Sequence, residues 1–465
     1  MEAHPGDGGT REIPVVISTY GNGRATIRAG QGDGVCAENC AGIDISNLEI
    51  TGSGRETNQG SGIHFNNKSA AGTKLDYVRI TDVDISGFGG CGIAIGAEKE
   101  RSGYKDVRIV RASLHDNASA GISAWGQTHE KMQGWAHEQI YVGHCRAYNN
   151  SGIAAKMDSH SGSGIVIGCV DGGIIEYCEA FNNGWLCNFK NGGPVGIWFW
   201  DAHNALIQFC ESHHNRTGKN SVDGGGFDLD GGVTHSVIQY NYSHDNDGAG
   251  YLLAQYERAR PFFKNTVRYN ISANDARAHD YGAVHLWSHA AGGIRDVDVY
   301  HNTLLVSPSA SGTPAAVHCD RNMQNVRLLN NVFITRGSAK LIKALQYEGL
   351  AFLGNAYSAE TFLIEYGTQR FEKFDAWRSS AKQEAFKEQP FGIAGDLKIV
   401  WPENTITIGD PQKLNTLNAY VLQAESPLIN KGINLREMFG IDIGTRDFWG
   451  KKIRPDAPDV GAGGR

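Results

Sequence analysis

The chain has 465 residues, with 60 Gly against only 12 Pro, 20% charged residues and a net charge of −7. That balance argues against a nucleic-acid surface, and no apolar run approaches the roughly 20 residues that a membrane-spanning helix needs. A globular chain of this length usually divides into domains, whereas a stack of repeated coils grows as one unit because each coil touches only its neighbours.

The first strand-like phrase is Ile13-Pro-Val-Val-Ile17. No leader precedes it, so the start reads as processed or truncated, and a secreted or periplasmic home is the expectation. From there a Gly-Ile-x-apolar phrase recurs: Gly62-Ile-His-Phe65, Gly92-Ile-Ala-Ile95, Gly121-Ile-Ser-Ala-Trp125, Gly164-Ile-Val-Ile167, Gly196-Ile-Trp-Phe-Trp200 and Gly226-Phe-Asp-Leu-Asp230. Looser copies follow at Gly250-Tyr-Leu-Leu253, Ala283-Val-His-Leu-Trp287 and Ala316-Val-His-Cys-Asp320. Each reads as a short strand of period two, with further strands between copies and no helical period, which describes an all-β parallel β-helix solenoid. Asn117, Asn150, Asn183, Asn215, Asn246 and Asn274 fall a few residues before the next strand. Stacked coils would pile them into an asparagine ladder, since Asn tolerates left-handed turns and its amide both donates and accepts. That role accounts for the asparagines of sequons such as Asn117-Ala-Ser119.

Cys145, Cys178 and Cys210 each stand five residues before a ladder asparagine, so they are expected to stack as buried free thiols. Cys36 and Cys40 are near enough in sequence to pair, but the spacing alone is a weak signal. Looser loops are expected at 127–139, 186–193 and 256–264. The repeat reads from about residue 13 to 358, giving a β-helix domain over 1–358. Residues 359–465, with a short amphipathic helix around Phe371–Ser380, read as an irregular C-terminal cap over the last coil.

Period two turns the repeat into a surface map, because residues flanking the inward Ile and Phe face outward. One outward strip then carries Trp125, Trp198, Trp200 and Trp287, and between these indoles lie Asp228 and Asp230. Indoles along a groove suit sugar rings, so a polysaccharide or oligosaccharide is the expected partner, bound by a monomer. Tyr256 and Arg258 in the following loop join the binding candidates. Asp in mid-strand is disfavoured, so the Asp228 and Asp230 pair calls for a functional reason. With Asp201 and Asp223 it forms an oxygen cluster that suits either acid and base roles or a Ca²⁺ ion. Lys219, His160 and His285 are candidate bases.

The coil pattern, the ladder, the run Asp223–Gly248 and the tail Thr445-Arg-Asp-Phe-Trp-Gly450 resemble bacterial right-handed parallel β-helix proteins of the pectin-lyase-like superfamily. That superfamily includes lyases, hydrolases and mannuronan epimerases. Asp158-Ser-His160 is similar to the epimerases' Asp-Pro-His motif, with Ser159 in place of Pro. The resemblance implies a polysaccharide lyase that cleaves a uronate glycan by β-elimination, with Ca²⁺ held by Asp201, Asp223, Asp228 and Asp230. The acidic strip itself suits a metal-independent glycoside hydrolase using Asp228 and Asp230. A C5 epimerase and a non-catalytic glycan-binding solenoid are the other readings.

Overall fold

The computed structural model describes residues 1–464. They form two compact units, one of residues 1–234 with Arg258–Arg260 and one of His235–Glu257 with residues from Pro261 onward. Both are built from the coils of a right-handed parallel β-helix, about 11 turns in all, with 4% helix.

In the first unit the Gly-Ile phrases become strands Ile63–Asn67, Cys91–Ala97, Ala120–Trp125, Ser163–Asp171, Val195–His203 and Gly225–Asp230. Each pairs in parallel with the next, and Ile63, Ile93, Ile122, Ile165, Ile197 and Phe227 fall in register, all fully buried. Burial of one such side chain contributes about 1.5–3 kcal/mol, and the column repeats that gain at every coil. The recurring Gly of these phrases is a packing requirement. A Cβ at Gly164 would lie 2.4 Å from the Gly196 carbonyl oxygen and one at Gly196 would lie 2.0 Å from Ser212 Oγ.

The expected ladder is present, with Asn117 Nδ2 donating to Asn150 Oδ1 at 3.2 Å, Asn150 to Asn183 at 3.0 Å and Asn183 to Asn215 at 2.9 Å. Cys145 and Cys178 take their expected place as stacked thiols: the Cys145 N–H points at Cys178 Sγ and the Cys178 N–H at Cys210 Sγ, each at 3.4 Å. All nine cysteines are free, and every one except the half-buried Cys36 is buried. His115, Tyr148, Phe181 and His213 form an aromatic stack with centroids 4.8–5.1 Å apart, so His213 is a repeat position.

In the second unit strands Tyr251–Gln255, Gly282–Ser288, Ala315–Cys319, Lys340–Ala344 and Ile364–Tyr366 pair in parallel succession. Here the ladder departs from expectation at one rung. Asn246 Nδ2 donates to Asp275 Oδ1 at 2.8 Å, while Asn274 occupies the left-handed corner at φ +54° and accepts from Ser307 Oγ. The inward rung has moved one residue along the chain. A second ladder escaped the sequence reading: Asn241, Asn270, Asn302, Asn331 and Asn355 bond in series at 2.9–3.1 Å and end on Glu384.

Parallel pairing continues past residue 358 to Ile364–Tyr366 and to Ile393–Ala394. The expected helix runs from Phe374 to Ala381 and buries Trp377 against Phe352 and Tyr357. Beyond it, Leu397, Ile399, Leu414, Leu428 and Phe448 pack with Tyr242, Ile271, Leu305 and Val332, residues of four successive coils. The tail therefore lies along a flank of the second unit's coils.

Candidate active site

Strand Gly225–Asp230 lies beside strand Val195–His203 with Trp198 opposite Asp228 and Trp200 opposite Asp230. Alternation places Asp228 and Asp230 on one face, their Cβ atoms roughly 6.5–7 Å apart. Asp228 is 3% exposed and its Oδ1 has no hydrogen-bond partner. Burial, with Asp230 and Asp223 adding their charges, pushes the Asp228 carboxyl well above the usual carboxylate range. Asp230 is half-buried and accepts the Gly231 N–H at 2.8 Å. Burial and the charge of Asp223 still raise it to about 7.

Asp223 is half-buried, at φ +63°, and its Oδ2 takes the Gly193 N–H at 2.6 Å. The preceding turn is tied by Thr217 Oγ1 to the Val222 carbonyl at 2.8 Å. The three carboxylates Asp223, Asp228 and Asp230 thus act on one another, as the sequence pattern anticipates. Asp201 has a partner of its own. It sits at a strand corner, φ +47°, and Arg260 Nε reaches its Oδ1 at 2.5 Å.

Trp125, Trp198 and Trp200 share one apolar cluster with Ala94, Ala120, Val166 and Val195. The expectation of open indoles holds only in part. Trp125 and Trp200 are half-buried, whereas Trp198 is buried, with its N–H on Ser163 Oγ at 3.2 Å and the His160 ring edge-on at 5.0 Å. The loop carrying His160 covers Trp198, an insertion that period two cannot register. Burial lowers His160 to about 4, so it is neutral. Gly96 and Gly168 make room for the other indoles: a Cβ at Gly168 would lie 2.1 Å from Trp200 Cε2, and one at Gly96 2.6 Å from Trp125 Cζ2.

The remaining basic and binding candidates are peripheral in their own segments. Lys219 is exposed in a turn, and Arg258 and Tyr256 are exposed in the loop after Gln255. In the second unit His285 is buried and stacks on His318 with centroids 4.2 Å apart. Trp287 is half-buried and stacks on His289 at 4.5 Å. Ser163, which holds Trp198, was not singled out from the sequence, and Arg260, which holds Asp201, was read there only as a basic candidate beside the aspartates. Ser163 directly precedes a Gly-Ile phrase and Arg260 lies in an expected loop, so neither position signals its partner.

No family model matches the chain. The lacto-N-biosidase of Bifidobacterium longum subsp. longum is 30% identical over 278 residues, which cover 58% of this chain and 15% of that protein. The match thus spans about a seventh of the curated relative. Among solved structures, a GH136 lacto-N-biosidase from Eubacterium ramulus superposes with TM-score 0.47 and 18% identity, over 77% of this chain and 58% of that one. A pectate lyase gives 0.47 and 13% over 97% and 85% of the two chains. The A-module of a mannuronan C-5 epimerase from Azotobacter vinelandii gives 0.42 and 12% over 80% and 87%. All are right-handed β-helix proteins.

Proposed function

We propose that the protein is a glycoside hydrolase that cleaves an oligosaccharide or polysaccharide, with Asp230 as general acid and Asp223 as the carboxylate that serves as base or nucleophile. Glycoside hydrolysis needs one protonated and one ionised carboxyl flanking the scissile bond. The observation that carries the reading is the gathering of Asp223, Asp228 and Asp230 beside the Trp198 and Trp200 indoles with Asp230 within reach of solvent, and burial, with Asp223 adding its charge, raises Asp230 to about 7. Asp223 reaches solvent too, and its Oδ2 is placed by the Gly193 N–H. Asp228 lies deeper, where burial and the neighbouring Asp230 and Asp223 push its carboxyl up, and its part is to shape the site beside Trp198. The name of the Bifidobacterium relative, a lacto-N-biosidase, supports hydrolysis of an oligosaccharide.

The lyase reading keeps in its favour two buried and unpartnered carboxylate oxygens, Asp228 Oδ1 and Asp201 Oδ2, which suit a cation. Ca²⁺ takes 6–8 oxygen ligands. Of the four aspartates expected to supply them, Asp201 is committed to Arg260, and the candidate base Lys219 is exposed. The residues fit Ca²⁺ poorly, and we assign no step to it.

Incubation with a panel of neutral, N-acetylated and uronate oligosaccharides decides between the two. Hydrolysis releases reducing ends with no unsaturated sugar and continues in the presence of a calcium chelator. An unsaturated uronate product that disappears on chelation would establish the lyase and end the hydrolase reading.

A further inference from the structure

In the second unit, strands Gly282–Ser288 and Ala315–Cys319 set His285 directly opposite His318, and Asp320 follows at the strand's end. The three side chains are buried, 3%, 3% and 8% exposed. Nε2 of His318 lies 3.2 Å from Asp320 Oδ1 and Nε2 of His285 lies 3.6 Å from the same oxygen. The His285 contact is too long for a hydrogen bond and the His318 contact is not aligned for one, so both ring nitrogens of His285 and Nε2 of His318 are left without a hydrogen-bond partner. Orphaned buried polar atoms cost about 1–3 kcal/mol each, so three at one point call for a reason.

The orientation of His318 supplies one. Its Nδ1 lies 3.1 Å from the Asp280 carbonyl oxygen, to which only an N–H can donate. That bond fixes the ring with Nε2 on the side of Asp320. Because Nε2 is not aligned for a hydrogen bond to Asp320, it is left available to an ion beside that carboxylate. A backbone carbonyl on the far nitrogen is also the usual support for a metal-bound imidazole. The Asp280 carboxylate is itself held by Lys343 and Thr313 and does not compete.

We infer that His285, His318 and Asp320 form a binding site for one divalent transition-metal ion of the Zn²⁺ class. Two imidazoles and one carboxylate are a borderline-soft donor set that suits Zn²⁺ or Co²⁺ over Ca²⁺. The ligand atoms lie within 4.8 Å of one another, and tetrahedral binding at about 2.0–2.1 Å per bond requires a modest side-chain contraction. With three protein ligands the fourth position is open to water or a ligand oxygen. The site uses neither Asp223 nor Asp230, so it stands or falls apart from the hydrolase reading.

The full chain, stripped with a chelator and dialysed, is titrated with Zn²⁺ by calorimetry, and Co²⁺ is added as a spectroscopic probe. One equivalent of Zn²⁺ is expected, with affinity falling at least 100-fold in His318→Gln and in Asp320→Asn. Cys36→Ser, which alters a separate group of Asp33, Cys36 and His64, leaves binding unchanged. The site is refuted if the wild-type chain takes up no Zn²⁺, if both ligand variants bind as tightly as wild type, or if Cys36→Ser abolishes binding. Should the ligand variants not fold, the wild-type Co²⁺ spectrum decides: nitrogen and oxygen coordination supports the site, and a thiolate charge-transfer band overturns it.

Discussion

Arg260 Nε lies 2.5 Å from Asp201 Oδ1, with both side chains buried, and the same guanidinium sits over the Trp135 ring at 4.5 Å and donates to the Gly134 carbonyl. One loop residue therefore ties the Asp201 corner to the 126–136 insertion. Removing either partner leaves a buried charge uncompensated, at a cost of about 3–5 kcal/mol. Arg260→Ala should lower the urea midpoint of unfolding accordingly, and Asp201→Ala similarly. A loss below about 1 kcal/mol, the value of an exposed pair, would mean that the pair is not formed in solution.

The three carboxylates predict an ordered set of kinetic effects. Asp230→Asn and Asp223→Asn should each lower kcat/KM by about 10³-fold or more, about 4 kcal/mol of transition-state stabilisation. Asp228→Asn replaces a neutral acid by a neutral amide and should cost far less. If Asp228→Asn is instead as damaging as Asp230→Asn, the working pair is Asp228 and Asp230.

Activity should also fall as pH rises through about 7, because the acid role requires Asp230 protonated. The limb is worth about tenfold per pH unit. A pH profile flat from about 6 to 9 on a substrate whose leaving group needs protonation would remove Asp230 from that role.

The glycines beneath the indoles give a binding test that leaves the carboxylates alone. Gly168→Ala must displace the Trp200 ring, since the new Cβ would meet it at 2.1 Å, and Trp125→Ala removes a partly exposed ring outright. Each should raise KM about tenfold, close to 1.4 kcal/mol, with kcat changed little. Unchanged KM in both variants would take the sugar away from this face.

The fold was legible because its signals are local and periodic. An inward Ile every coil and an asparagine at each corner repeat often enough to be read without any tertiary information. The second ladder, from Asn241 to Asn355, was missed because its spacing is just as regular but its asparagines follow strand ends already assigned to turns. The slip from Asn274 to Asp275 is a shift of one residue, and no sequence rule fixes which of two adjacent polar residues turns inward. At the site, period two correctly paired Trp198 with Asp228 and Trp200 with Asp230. It could not show that the His160 loop covers Trp198 or that Arg260, 59 positions along the chain, claims Asp201. Both depend on where insertions fold back, and that information is not periodic.

Glu384, which ends the second ladder, supplies a test of stability against pH. Its Oε1 accepts from Asn355 Nδ2 at 2.7 Å and from the Tyr357 hydroxyl at 2.6 Å, and the side chain is fully buried. Burial raises its carboxyl from 4.5 to about 7 against the pull of those hydrogen bonds. The folded state therefore holds the proton more tightly than the unfolded state. The favourable contribution is complete below about 4.5 and is lost as pH climbs to about 7. Glu384→Gln keeps an acceptor for Asn355 and Tyr357 while removing the charge. Its stability relative to wild type should therefore improve from about pH 5 to about pH 8, by up to about 3 kcal/mol, since each tenfold change in proton affinity is worth about 1.4 kcal/mol. Glu384→Ala strips the acceptor and should destabilise the fold by about 1–3 kcal/mol near pH 5, a deficit that shrinks toward pH 8 as the wild-type carboxyl loses its proton. Urea unfolding of the three chains at the two pH values measures both effects, and a Glu384→Gln difference that does not change with pH would show that Glu384 titrates as an ordinary carboxylate.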